Sequence, residues 1–312
     1  MKFNTAKELI DSYLNKIDFI DFEEVDLPSY EWIRVKEYCF DNASSNPELR
    51  ALLANMYIYG LGVNVDYLLA KIACENGIEK GSINAIFTLG MMYYNGKEFL
   101  QSYENAIPYF EEAAAKGLWR AQFKLAVCYV VPRGVKKDYQ KAFDLFMKVA
   151  EKGYRQAQFN VAYYIHLSKV QYINKSECVK WFELAANQGH NSAMYYLGEI
   201  YYNGYYGEKN FEMALSWYNK SAAKNNISAL LKIAEFYENG IIVEQSYQKA
   251  YEYYMKTINL GNSDAKSKVR EYQINHCHYC NAFFTKTVVK TLFGEKTICS
   301  ACKQKYYYNN YK

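Results

Sequence analysis

The sequence predicts an all-α fold of stacked antiparallel helix pairs, followed by a small C-terminal module of a different kind. Three observations predict it. A pattern of small residues returns every 36 residues without insertion or deletion, and a fixed period between about 20 and 50 residues is typical of a repeat array. Residues that favour helix starts and helix stops recur at the same period. Four cysteines then form two close pairs near the C-terminus.

The first 48 residues precede the regular repeats, and we expect them to form an N-terminal helical cap. Residues 6–20 show a helical rhythm of apolar side chains, and residues 31–43 look like a degenerate second helix. Terminal units of repeat arrays are atypical because they cover an exposed core. Residues 1–48 hold 11 Asp or Glu against 5 Lys or Arg, so binding of a basic partner is an alternative role for this segment.

Two columns of small residues define the repeats, one for each helix. The first column consists of Ala85, Ala121, Ala157, Ala193, Ala229 and Ala265. The second consists of Ala70, Ala106, Ala142, Cys178, Ala214 and Ala250. Around the first column, Ala85, Leu89 and Tyr93 fall at helical spacing and predict one buried helix face. Asn-Gly follows this helix in several repeats and predicts its end.

The second helix of each repeat has a predicted N-cap and a predicted stop. Asp, Ser and Asn side chains accept hydrogen bonds from the free N–H groups of a first helical turn. The N-cap column consists of Asp66, Ser102, Asp138, Asn174, Asn210 and Ser246. The stop column consists of Gly81, Gly117, Gly153, Gly189, Asn225 and Gly261. Glycine and asparagine are the usual residues of a left-handed C-cap, so both ends of this helix are predicted.

Two repeats depart from the pattern. Pro108 lies inside the second helix of its repeat, where a proline is expected to distort the helix or delay its start. The fourth repeat has Ser168 at the position of the turn glycine, so we expect its loop to differ. In that repeat Asn174 and Glu177 have the spacing of a capping box, with Asn in place of the usual Ser or Thr.

Large aromatic residues recur in a further column and are predicted to fill the core between repeats. They are Phe110, Phe146, Phe182, Tyr218 and Tyr254. An aromatic stripe at helical spacing is what packing alone predicts, and ligand stacking is the alternative. Cys39, Cys74, Cys128 and Cys178 are scattered along the chain and are predicted to be buried structural thiols.

The repeated residues closely resemble the Sel-1-like repeat, a relative of the tetratricopeptide repeat. The likeness is clearest from Ala193 to Gly204 and from Asp138 to Ala142, and it covers about residues 49–265. The resemblance implies a right-handed α-solenoid of about six repeats whose concave face gathers other proteins, and it brings no catalytic residues. We therefore expect three parts, a cap over residues 1–48, a solenoid over 49–273 and a separate module over 274–312.

The C-terminal module carries the sequence signature of a structural zinc site. Cys277 and Cys280 form one C-x2-C pair, and Cys299 and Cys302 form a second after 18 intervening residues. Each pair can point two thiolates at one tetrahedral ion, and the segment between them can form a hairpin. One structural Zn2+ held by four thiolates is predicted, and unpaired structural thiols are the alternative. His276 and His278 flank the first pair as possible substitute ligands or supporting groups.

Basic and aromatic residues in the same module support a second function. Residues 276–312 hold six Lys and one Glu, interleaved with Phe and Tyr. Such a surface suits contact with nucleic acid, yet without arginine it offers little base specificity. A nucleic-acid-associated regulatory protein is therefore the alternative to a protein-binding adaptor.

The predicted function is a non-enzymatic scaffold that binds partner proteins through its solenoid. The four histidines accompany no recognisable nucleophile, phosphate loop or metalloprotease motif. The first 20 residues lack the apolar core of a secretory signal, and no run approaches the ~18 apolar residues of a membrane span. We therefore expect a cytoplasmic or nuclear protein with protein partners, without a membrane or a small-molecule substrate.

Overall fold

The computed structural model describes residues 4–15, 26–171 and 174–269, together with strands at 288–291 and 294–297. Within these residues the chain forms 14 α-helices with described bounds and one two-stranded hairpin, and residues 266–269 are also helical. It divides into two compact units, Met1–Tyr172 and Ile173–Lys312. The division falls inside the fourth repeat, the one whose loop was predicted to differ.

Nine of the helices lie in the first unit. They are α1 (Ala6–Asn15), α2 (Ser29–Asn42), α3 (Glu48–Tyr59), α4 (Tyr67–Glu79), α5 (Ile83–Asn95), α6 (Tyr103–Ala115), α7 (Trp119–Val130), α8 (Tyr139–Ala150) and α9 (Arg155–His166). From α3 onward, each helix packs against the next, and α3 also packs against α5. We call the odd-numbered helices from α3 onward the A helices and the even-numbered helices from α4 onward the B helices.

The second unit continues the same alternation. Its helices are α10 (Glu177–Asn187), α11 (Asn191–Asn203), α12 (Phe211–Ala222), α13 (Ile227–Asn239) and α14 (Tyr247–Asn259). Its two strands, β1 (Val288–Thr291) and β2 (Gly294–Thr297), pair antiparallel with Val288 opposite Thr297. The prediction of an all-α repeat fold is confirmed for the repeats, and the hairpin lies beyond them in sequence.

The predicted caps of the B helices are present in five of the six repeats. In each, the side-chain oxygen accepts a hydrogen bond from the backbone N–H three residues later, at 2.8 to 3.3 Å. The five residues are Asp66, Ser102, Asp138, Asn210 and Ser246. These bonds satisfy N–H groups that the helix itself leaves free.

The prediction for Asn174 is wrong. Helix α10 begins at Glu177, so the residue before it is Ser176, which has helical backbone angles and makes no capping bond. The backbone from Asn174 onward instead makes bonds between residues three apart, from Glu177 N to Asn174 O and from Cys178 N to Lys175 O. The Asn174 side chain bonds to those of Ser176 and Glu177. A tight turn therefore replaces the start of the helix.

The stop column behaves as predicted. All six of its residues have positive φ, from 60° at Asn225 to 93° at Gly153. Ser168 in the irregular loop also has positive φ, 53°. The left-handed turn that ends each B helix is thus set by a residue type that tolerates it.

Pro108 does not delay its helix. Helix α6 begins at Tyr103, directly after its Ser102 cap, and runs through the proline to Ala115. Proline removes one helical hydrogen bond, the one to the carbonyl of Glu104. Ala106 and Phe110 are completely buried on either side of it, and this packing offsets the loss.

The core lies between the helices of successive repeats, and the aromatic column fills it. Phe110, Phe146, Phe182, Tyr218 and Tyr254 are all at most 4% exposed. At the N-terminal end, α1 and α2 cover the first repeat with Leu9, Tyr13, Trp32 and Val35 in one cluster. The prediction that the aromatic column from Phe110 to Tyr254 lies in the core is confirmed. No helix in the described part of the chain is both long and apolar enough to cross a membrane.

Candidate functional site

A groove of about 500 Å³ lies in the first unit, along its four A helices. The B helices contribute no lining residue within the described part. Helices α3, α5, α7 and α9, with the residues beside their ends, supply the lining. The lining consists of Asn55, Ile58, Tyr59, Phe87, Thr88, Met91, Met92, Asn95, Lys97, Trp119, Arg120, Phe123, Lys124, Tyr154, Arg155, Gln156 and Ala157.

The repeat period explains why these residues meet. Phe87 and Phe123 are 36 residues apart, so they occupy the same position on α5 and α7, and both line the groove. Trp119 begins α7, and Tyr154 directly precedes α9. Their rings stack with centroids 3.7 Å apart. Successive repeats thus each supply aromatic side chains to the groove.

Two lysines of the lining contact tyrosines that are not themselves lining residues. The Lys97 ammonium donates to the Tyr67 hydroxyl at 3.0 Å. The Lys124 ammonium lies 3.8 Å from the centroid of the Tyr94 ring. Burial lowers the pKa of Lys124, because a desolvated ammonium is less stable than a hydrated one. The aromatic faces compensate part of that cost by cation–π attraction.

Arg120 lies deepest of the cations and is 8% exposed. Its guanidinium is 5.9 Å from the ring centroids of both Trp119 and Tyr13. Burial lowers its pKa, while Tyr13, Tyr154 and Glu48 act in the opposite direction. An arginine keeps its charge under such conditions, since its ordinary pKa is above about 12.

The charged residues of the lining are all of one sign. Lys97, Arg120, Lys124 and Arg155 line the groove, and the described lining contains no Asp or Glu. The carboxylate of Glu48 acts on Arg120 but is engaged elsewhere. It accepts from the Ser82 hydroxyl at 2.7 Å and from two backbone N–H groups at the start of α5. The groove therefore presents a positive, partly apolar surface.

The predicted zinc ligands Cys277, Cys280, Cys299 and Cys302 lie outside the described residues. Where the structure does describe the chain, no three His, Cys, Asp or Glu residues are grouped to hold a metal. Cys39, Cys74, Cys128 and Cys178 are free thiols with no exposed surface. Burial raises the pKa of Cys39 to about 12 and of Cys178 to about 11, which disfavours the reactive thiolate form.

Sequence reasoning did not identify the groove. The signal was available in the A helices, where Phe87 and Phe123 share a column and Lys124 follows Phe123 directly. A column shows which residues are neighbours in successive repeats. It does not show whether a half-buried face is covered by the next helix or left open.

Comparison with known proteins identifies the repeat. The Sel1 repeat profile matches residues 47–72, 83–118, 119–154, 155–190, 191–226 and 227–262. No curated protein matches the chain.

Two solved structures are similar to the chain. One is c5321, a protective antigen present in uropathogenic Escherichia coli strains, with 26% identity and a TM-score of 0.69 over 77% of this chain. This chain spans 51% of the length of c5321. The other is a Sel1 repeat protein from Oxalobacter formigenes, with 26% identity and a TM-score of 0.61, covering 70% of this chain and 90% of that one. The profile and the two structures agree, and the chain therefore belongs to the Sel1 repeat family.

Proposed function

We propose that this chain is a non-enzymatic scaffold that binds a partner protein in the groove of its first unit. Sel1 repeat proteins generally mediate protein–protein interactions. The observation that carries the proposal for this chain is the groove itself. Four successive A helices line it with aromatic side chains and with cations between them. Aromatic residues and arginine are the side chains that contribute most at protein interfaces.

The size of the groove supports a segment of a partner as its occupant. About 500 Å³ is enough for several side chains but not for a folded domain. The stack of Trp119 on Tyr154 fixes both rings in place, so little side-chain freedom is lost on binding. A partner that inserts a short segment would bury these rings and leave the surrounding helices unchanged.

Selection from a random peptide library displayed on phage tests this function, because it requires no named partner. The comparison variant fills the groove by Asn95→Trp with Gln156→Trp, at two exposed lining positions. The matched control is Lys136→Trp with Lys148→Trp, at exposed positions outside the groove. We expect peptides enriched on the natural chain to bind the control and to lose at least about tenfold in affinity for the filled groove.

The proposal fails if the enriched peptides bind the filled groove as well as they bind the natural chain. It also fails if no peptide is enriched on a chain that circular dichroism shows to be folded. Either result would mean that the groove is a packing feature and that partners contact another face.

We further propose that Cys277, Cys280, Cys299 and Cys302 hold one structural zinc ion. The support is the spacing of the two cysteine pairs and the hairpin of β1 and β2, which lies between them in sequence. Two C-x2-C pairs joined by such a segment are typical of small zinc modules. The nucleic-acid alternative depends on the same tail, and no observation in the described residues favours it.

A further inference from the structure

We infer that the groove of the first unit selects an acidic segment in which carboxylate residues surround large apolar side chains. This inference rests on the proposed function, because it names the chemistry of the partner that the groove accepts. It follows from the signs of the charges in the lining, the partners of the lysines and the nature of the remaining surface.

The charged side chains of the described lining are all positive, and the composition of the chain does not account for this. The chain as a whole holds 37 Lys and Arg against 33 Asp and Glu, which is close to balance. The described lining nevertheless combines four cations with no carboxylate. Like charges placed together repel one another unless a partner or solvent compensates them, so this arrangement favours an anionic occupant.

Two lysines of the groove differ from three lysines of the B helices in that they have no carboxylate partner among the described residues. Three lysines on or directly after the B helices of this unit pair with carboxylates of the same helix or its cap. These pairs are Lys71 with Glu75 at 3.8 Å, Lys116 with Glu112 at 3.0 Å and Lys141 with Asp138 at 3.9 Å. Lys97 and Lys124 contact tyrosines, and neither has an ion pair to a carboxylate among the described residues.

Tyrosine contacts hold these two ammonium groups in place without neutralising them. The Tyr67 hydroxyl accepts one hydrogen bond from Lys97, and an ammonium carries three donors. The face of the Tyr94 ring covers one side of Lys124. Neither contact places a carboxylate beside the positive charge of its lysine.

The apolar part of the lining requires that the bound segment also carries large apolar side chains. Phe87, Met91 and Phe123 are half-buried in the lining, and the Trp119–Tyr154 stack lies beside Arg120. An occupant made only of acidic residues would leave this surface in water. A segment that alternates carboxylates with phenylalanine or leucine covers both kinds of surface at once.

Fluorescence anisotropy with synthetic peptides tests the inference on the full chain. The probe is a fluorescein-labelled peptide in which glutamates surround two phenylalanines and two leucines. One comparison peptide has glutamine at every glutamate, and another has lysine. We expect the glutamate peptide to bind at least about tenfold more tightly than the glutamine peptide at low salt. That advantage should shrink at about 0.5 M salt, where charges are screened within a few ångströms.

Variants that remove positive charges test whether the lysines of the groove cause the preference for the glutamate peptide. We expect Lys97→Gln with Lys124→Gln to weaken binding of the glutamate peptide about tenfold and to leave the glutamine peptide within about twofold. Arg155→Gln, at an exposed position, gives the same direction of change if the double variant does not fold. The control Lys136→Gln with Lys148→Gln removes the same charge from exposed positions outside the groove and should keep full affinity.

Equal affinity for the glutamate and glutamine peptides would overturn the inference, and so would tighter binding of the lysine peptide. The proposed function survives that result if library peptides of neutral or basic sequence still lose affinity when the groove is filled. If neither the acidic probe nor any selected peptide depends on the groove, both fail. The two ideas therefore have separate outcomes.

Discussion

Gly198 of α11 shows how closely single residues are fitted between the helices. A Cβ atom at this position would lie 2.5 Å from Cδ1 and Cε1 of the Tyr218 ring of α12. Tyr218 has no exposed surface, and its hydroxyl donates to Oε1 of Glu199 at 2.5 Å. The ring cannot move away without losing that bond, so glycine is required here by close approach.

We expect Gly198→Ala to lower the free energy of unfolding by about 1–2 kcal/mol. Overpacking a buried site costs about 1–3 kcal/mol, and the better helix propensity of alanine recovers up to about 1 kcal/mol of it. Urea unfolding of the full chain measures the change. Gly207→Ala is the matched control, since a Cβ at Gly207 would meet no atom within 4 Å. Stabilisation by Gly198→Ala would show that the Tyr218 ring is not fixed.

The residues that cap the helices were predictable from the sequence, because a cap depends only on residues a few positions away. The N-cap bond joins a side chain to an N–H only three residues away, as from Asp66 to Leu69, and the residue type alone favours it. The stop at Asn225 was predictable for the same reason. Neither feature depends on which other helix lies nearby.

At the scale of whole helices, two asparagines with the same predicted role differ in the structure. Asn210 caps α12 with a bond from Met213 N at 2.9 Å. Asn174 precedes a turn, and its helix α10 begins only at Glu177. The cap column predicts that the two are equivalent, whereas a turn with bonds from Glu177 N to Asn174 O and from Cys178 N to Lys175 O replaces the cap of α10.

This difference yields a paired prediction. We expect Asn210→Ala to lower the free energy of unfolding by about 1 kcal/mol, the usual cost of losing an N-cap. Asn174→Ala should cost less than half as much, because it removes bonds only to the side chains of Ser176 and Glu177. Thermal unfolding followed by circular dichroism at one concentration compares the two variants. Equal losses would mean that Asn174 caps α10 after all.

Helix α6 shows the limit of propensity arguments at this scale. Pro108 predicts a delayed or distorted helix when the segment is considered alone. In the folded chain, α6 is bounded by its Ser102 cap and packed through Phe110, and it keeps its start at Tyr103. Tertiary packing overrides a local preference whose cost is smaller than the burial gained.

For the whole molecule, the sequence predicts the repeat unit well and the candidate site poorly. The period, the caps and the buried column of Phe110 and Phe146 all arise from contacts between neighbouring helices, which a column captures. The groove depends instead on four A helices from four repeats, and on which of their faces stays open. Lys97 and Lys124 belong to different columns, so no single periodic signal joins them.

The proposed zinc ion leads to the last prediction. Zinc analysis of the purified full chain should find one ion per molecule, and Cys299→Ser with Cys302→Ser should contain none. Cys178→Ala is the matched control, because alanine occupies the same column in the other repeats and the Cys178 thiol is buried and free. It should keep the ion.

Removal of the ion should leave the repeat helices intact. No group of three or more His, Cys, Asp or Glu residues that could hold a metal occurs in the part of the chain that the structure describes, and apolar side chains form the core of the repeats. A zinc module of this size depends on its ion for folding, with about 10–16 kcal/mol of binding free energy in small fingers. Chelation by EDTA should therefore abolish zinc content while the helical circular dichroism signal and groove binding persist. Loss of the helical signal on chelation would show that the repeats depend on the tail, and a chain purified without zinc would refute the site itself.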